Sequence, residues 1–106
     1  MQAYLFDDFR VEIDERATVP GHCWHGQYRD GIPVKLTSDL ERFFYKLTLG
    51  YENPVVLDIG ANDGVFSLTA AVNQHIRCFA FEPAPSNYDI LQRNIALNNL
   101  EDRVKT

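Results

Sequence analysis

At 106 residues the chain fits one small domain, and a hydrophobic content of 45% gives it a core to pack rather than the composition of a disordered tail. Fifteen acidic side chains against ten basic ones leave a net charge of −5, a balance that repels phosphate backbones and anionic lipid. Neither nucleic acid nor a membrane is an expected partner, and residues 1–8 lack the basic and apolar regions of a secretory leader, so a cytoplasmic location is expected.

Residues 1–37 read as a β-rich N-terminal extension. Phe9, Val11 and Ile13 alternate with Arg10, Glu12 and Asp14, the period of a half-buried strand. A second extended stretch, about residues 22–36, is broken by Asp30-Gly31, which suits the positive dihedrals of a tight hairpin turn. Within it His22, Cys23 and His25 crowd three types of metal ligand together. On a strand His22 points one way while Cys23 and His25 point the other, and no fourth ligand stands at a zinc-like spacing, so no metal site is expected. A surface position is the simpler reading of His25, with a place facing a substrate pocket as the alternative. Cys23 and Cys78 form no paired pattern and are expected as thiols, Cys78 as a small buried hydrophobe.

Residues 38–106 carry a different pattern. Ser38-Asp39-Leu40-Glu41 spells a capping box, and Leu40, Phe43, Phe44 and Leu47 recur at helical spacing up to Gly50, with Phe43, Phe44 and Tyr45 expected to pack the helix onto the domain. After the link Glu52-Asn53-Pro54, residues 55–59 read as an apolar strand of the kind buried on both faces of a parallel sheet. A helix over about 64–74, a strand over 76–81 and a helix over about 86–98 follow, with His75 in the loop between the first helix and the second strand. Ser86 and Asp89 suit the N-cap and N3 positions of the last helix, and Tyr88, Leu91, Ile95 and Asn98 share one of its faces. Val104-Lys105-Thr106 reads as the start of a third strand. The order βαβα predicts a right-handed crossover and a parallel sheet, and a sheet this short leaves an edge and apolar faces through which the chain is expected to self-associate.

The chemistry concentrates where the first of these strands enters its helix, at Asp58-Ile59-Gly60-Ala61-Asn62-Asp63-Gly64. The two glycines permit a sharp turn and close approach of a ligand, and Asp63 is given no more than a helix-capping role. Glu82 closes the next strand, twenty-two residues beyond Gly60, the spacing of an acid that takes ribose hydroxyls in nucleotide-binding βαβ units. A glycine turn alone can serve packing only. Joined to an apolar strand, Asp58 and an acid at the end of the next strand, it favours a nucleotide or cofactor. A dinucleotide fingerprint would need a third glycine at the helix entry, which is missing, so NAD is disfavoured.

The spelling Asp-x-Gly-x-Asn-x-Gly resembles motif I of class I methyltransferases, and Asn62 in place of the usual middle glycine is similar to the FkbM family, as is Phe66-Ser67-Leu68 after it. Phe79-Ala80-Phe81-Glu82-Pro83 with Pro85, and Asn94-Ile95 with Leu97-Asn98-Asn99-Leu100, continue the resemblance, which spans residues 55–100. The resemblance implies an α/β, Rossmann-like class I methyltransferase fold, incomplete at its C-terminus, behind the β-rich extension. It also implies S-adenosyl-L-methionine as cofactor, with Asp58, Gly60, Ala61, Asn62 and Gly64 lining the methionine end and Glu82, beside Pro83, holding the ribose hydroxyls. The implied reaction is O-methylation of a hydroxyl on a small molecule or sugar, by a fragment that lacks the acceptor-binding half. No catalytic base is assigned to any residue. Two rivals stay open, a non-catalytic nucleotide-binding or assembly module and an NAD-dependent oxidoreductase.

Overall fold

The structure is a computed structural model that describes residues 2–5, 9–17, 28–35 and 39–106. The segment His22-Cys23-Trp24-His25 and the capping residue Ser38 lie outside them. Among the described residues no group of metal-ligating side chains could hold an ion, and no helix is long and apolar enough to cross a membrane.

The extension folds as a four-stranded mixed sheet. Strand β1 (Gln2–Leu5) pairs antiparallel with β2 (Phe9–Glu12) and parallel with β4 (Ile32–Lys35), which pairs antiparallel with β3 (Tyr28–Arg29). The hairpin between β3 and β4 turns at Asp30 and Gly31, with φ of 51° and 77°, as the dipeptide predicts. Leu5, Val11, Ile13 and Ala17 form one core with Leu68 and Ile90, so this sheet is packed onto the helices of the second half.

That second half is a helix followed by an alternating unit: α1 (Asp39–Leu49), β5 (Val55–Ile59), α2 (Val65–Ala71), β6 (Arg77–Phe81), α3 (Pro85–Leu97) and β7 (Val104–Lys105). The three strands are parallel in the order β5-β6-β7, with Val55 opposite Arg77, Ile59 opposite Phe81 and Cys78 opposite Val104. Cys78, Ala80 and Val104 pack with Ala71, Leu91 and Ile95 to make the second core, between the sheet and its helices.

Several boundaries and faces depart from the pattern in the sequence. β5 is covered on one face only: Leu57 is 63% and Ile59 73% exposed, because the two connections of a strand order that runs one way lay α2 and α3 on the same side. The predicted stripe of α1 is also outward, with Phe43 64% exposed and Leu40 and Leu47 open, while Glu41 and Thr48 are buried. Phe44 is half-buried and meets Phe66 of α2 edge to face, with ring centroids 5.7 Å apart, so this helix seats itself through Phe44 rather than through Phe43. α2 ends at Ala71, short of residue 74, in a turn that carries exposed His75. α3 starts at Pro85, with Ala84 at the N-cap and no side-chain cap, so Ser86 lies inside the helix: proline's fixed φ and missing N–H suit the first helical position and set the start ahead of the serine.

Residues 14–16 clip the extension to α3. Arg16 donates from Nε to Asp14 Oδ1 at 2.9 Å and from Nη1 to Asp89 Oδ2 at 2.8 Å. The hydrogen bonds from Arg16 hold the Asp14 carboxyl at about 2, below its ordinary 3.8. A depressed carboxyl pKa contributes stability above the unfolded value and loses it as the pH falls through the folded one. Arg16 is 57% exposed, so solvent screening keeps the contribution small. Asp14→Asn is therefore expected to lower stability slightly at neutral pH, with the gap to the unsubstituted chain closing between about pH 4 and pH 1; urea denaturation across that range checks it, and a gap that persists undiminished at about pH 1 counts against the ion pair.

Candidate functional site

Between β5 and α2 the backbone takes a left-handed conformation at alternate positions: Gly60 at φ 77°, Asn62 at 53° and Gly64 at 94°. Of side chains with a Cβ, asparagine tolerates this region best, which gives the Gly-x-Asn-x-Gly spelling a conformational reason. The two glycines are needed differently. A Cβ on Gly60 would meet nothing within 4 Å, so φ alone selects it, whereas one on Gly64 would stand 2.7 Å from Leu91 Cδ1 in the core.

The turn is clamped to the end of β6. Gly60 N and Ala61 N both donate to Phe81 O, at 2.8 and 2.9 Å, and Gly64 N closes back on Ala61 O at 2.8 Å. Asn62 N donates to Glu82 Oε2 at 2.7 Å, and Ala84 N donates to Glu82 Oε1 at 2.9 Å. Glu82 sits one residue past β6, half-buried, with its carboxylate between the two loops. Each carboxylate oxygen has two lone pairs, so one bond to each leaves acceptor capacity on both.

Of the residues expected to meet a ligand, Gly60, Glu82 and Pro83 line one groove of about 540 Å³ at the carboxyl end of the sheet, together with Ile59, Phe81 and Tyr88. That volume is in the range of small-molecule sites, and the place is where open α/β sheets bind ligands. Asn62 is exposed beside it and Ala61 is buried beneath the turn. Asp58 is turned the other way: Ser67 Oγ on α2 donates to its Oδ2 at 2.6 Å, so it braces the turn from the helix side. Asp63 is buried one residue ahead of Gly64, the N-cap of α2, and its carbonyl accepts from Asn94 Nδ2 at 2.7 Å.

Ser67, Asn94 and Asn98 were not singled out as contacts from the sequence. A hydroxyl or amide inside a helical run reads as ordinary polar surface, and only the fold brings Asp58 or the extension against it. Cys78 Sγ lies 3.7 Å from Ser67 Oγ; burial, with Asp58 nearby, pushes this thiol up to about 11 despite the serine, which makes it inert. A second depression, about 520 Å³, opens at the other end of β5 among Phe44, Leu47, Tyr51, Pro54 and Leu57, and contains none of the turn residues.

The fold is that of the S-adenosylmethionine-dependent methyltransferases. Among solved structures the chain resembles PH0793 of Pyrococcus horikoshii, provisionally named a transferase, with a TM-score of 0.51 and 28% identity over 74% of this chain and 33% of that one. It is equally close to P. horikoshii TYW2, solved in complex with MeSAdo, at a TM-score of 0.51 and 26% identity over the same shares. Among curated proteins, Methyltransferase sdnD of Sordaria araneosa is 48% identical over 54 residues, 50% of this chain and 21% of that protein. No family model matches the chain. The chain thus spans about a third of the length of the solved relatives and about a fifth of the curated one.

Gly64→Ala combines a strained φ with a Cβ that the core must move to admit, and is expected to cost about 1–3 kcal/mol. Gly60→Ala meets only the strained φ and should cost less. Chemical denaturation of both variants checks the order, and equal losses would mean that Leu91 moves aside freely.

Proposed function

We propose that this chain forms the cofactor-binding part of an S-adenosylmethionine-dependent methyltransferase of the FkbM type, acting in the cytoplasm on a hydroxyl of a small molecule or sugar. The observation that carries the reading is the Glu82 carboxylate, fixed between Asn62 N and Ala84 N at the mouth of the groove. Identity to a methyltransferase and likeness to a structure holding MeSAdo, an analogue of S-adenosylmethionine, support the cofactor.

The residues present fit that group. Glu82 keeps lone pairs for two ribose hydroxyls, and the left-handed turn at Gly60 lets backbone approach the methionine portion without a side chain between. When bound, S-adenosylmethionine supplies a methyl on a sulfonium centre, open to attack by a hydroxyl oxygen as the carbon–sulfur bond breaks and the hydroxyl proton leaves. The chain's own part is alignment, and the backbone amides at 60–62 hold the turn to β6 so that the groove does not reorganise when it fills.

Hydrogen bonds to a charged group contribute roughly 1.5–3 kcal/mol each, so Glu82→Ala in the full chain is expected to weaken S-adenosylmethionine binding by at least about tenfold. Glu82→Asp should weaken it as well, since the shorter side chain keeps the charge but withdraws it from the hydroxyls. Calorimetric titration of both, after folding is checked, tests the reading; unchanged affinity would remove Glu82 from the site.

Self-association through the open edge of β5 belongs to the same proposal, supported by the exposed Leu57 and Ile59 beside that edge. Residues 1–106 produced alone should sediment as more than a monomer, and a monodisperse monomer with a cooperative, high-temperature melt contradicts it.

A further inference from the structure

Two asparagines of α3 do more than their helical positions require. Asn94 is 1% exposed and uses both ends of its amide on separate chain segments: Oδ1 accepts from Asp14 N at 2.7 Å, and Nδ2 donates to Asp63 O at 2.7 Å. An N–H can only donate and a carbonyl only accept, so these partners fix which way the amide points. One turn on, Asn98 Oδ1 accepts from Glu12 N at 2.9 Å and Nδ2 donates to Glu12 O at 2.7 Å, pairing the edge of β2 as another strand would.

The two residues differ in what they reach. Asn98 touches the extension and the Asn94 carbonyl, whereas Asn94 also holds the residue between left-handed Asn62 and Gly64. A continuous path runs from Asp14 N through the Asn94 amide and Asp63 to Asn62 N, and so to Glu82 Oε2.

We propose that Asn94 is a positioning residue for the cofactor turn, through which the N-terminal extension sets cofactor affinity; the affinity half rests on the function proposed above. Only a side chain that donates and accepts at once fills this place. An ionised aspartate keeps the acceptor for Asp14 N but sets an oxygen against Asp63 O, and so releases the turn while leaving the extension attached. A protonated one donates to Asp63 O as the amide does, so the variant's effect grows as the pH rises.

The test uses the full chain and S-adenosylhomocysteine as probe. In the unliganded Asn94→Asp variant, amide hydrogen exchange at residues 62–65 should quicken more than in β5 and β6, and affinity for the probe should fall about tenfold. Asn98→Ala should lower the melting temperature while affinity in the folded fraction stays within twofold. Should Asn94→Asp not fold, the unsubstituted chain reads the same coupling: the probe should slow exchange at Asp14 N–H, which lies outside the groove. Unaltered exchange at 62–65 in Asn94→Asp, an affinity loss in Asn98→Ala equal to that in Asn94→Asp, or an Asp14 amide indifferent to the probe would overturn the proposal. Failure of the unsubstituted chain to bind the probe would instead sink the cofactor reading, while the exchange at 62–65 still reports whether Asn94 holds the turn.

Discussion

The arrangement depends on one backbone constraint, a left-handed step at every second residue from Gly60 to Gly64. Three such steps let the chain leave β5 and enter α2 with the amides of 60, 61 and 62 all aimed at the end of β6, two at Phe81 O and one at Glu82. The parallel register that sets Ile59 opposite Phe81 brings those acceptors within reach. A slip of one residue would turn every side chain of β6 to the other face and carry Glu82 away from the turn. Sheet register and site geometry are therefore one fact here. Asp58, braced by Ser67, ties the same turn to the first helix behind it.

The sheet is strongly two-faced. Val56, Cys78, Ala80 and Val104 lie under α2 and α3, whereas Val55, Leu57, Ile59 and Phe81 line a face with more than half of each side chain exposed. The asymmetry follows from topology rather than composition, since in doubly wound sheets the second face is covered only when the strand order reverses, and β5-β6-β7 runs one way throughout. Both depressions draw on that bare face: Ile59 and Phe81 line the groove beside Glu82 at the strands' carboxyl ends, and Val55 and Leu57 line the depression near Phe44 at the other end of β5.

What the sequence made legible was local. An apolar run, a turn that needs positive φ and an acid at the end of the next run are written within residues 55–82, and the order of strands and helices there, with the Asp30-Gly31 hairpin, follows periodicity and turn chemistry even where the element ends do not. Faces were not legible in the same way. An all-apolar strand reads as doubly buried whatever its neighbours, so nothing in Val55-Val56-Leu57 announces that one face is bare. Phe43 and Phe44 are adjacent aromatics, and only the packing against Phe66 decides which of them turns inward. The start of α3 was misplaced because the serine looked like a cap, whereas the proline ahead of it had already fixed the dihedral that begins the helix. Burial of Asp63 was equally hidden, since an acid beside a helix start reads as solvent-facing until the fold sets it beneath the αL step at Gly64.

The asparagines were the least legible, and the reason is chemical. Asn94 and Asn98 bond to Asp14 and Glu12, some eighty residues earlier, through backbone atoms that every residue carries, so no complementary side chain marks the partner. A charged residue in Asn94's place would need a counter-charge to offset burial, and a hydroxyl would not span from the extension to Asp63 O. A neutral amide satisfies a buried N–H and a buried carbonyl together without adding charge beneath the groove. Glu82 meanwhile accepts one amide on each carboxylate oxygen, which leaves lone pairs on both for a ligand. The extension can thus brace the turn without competing for the group that the turn presents to a ligand.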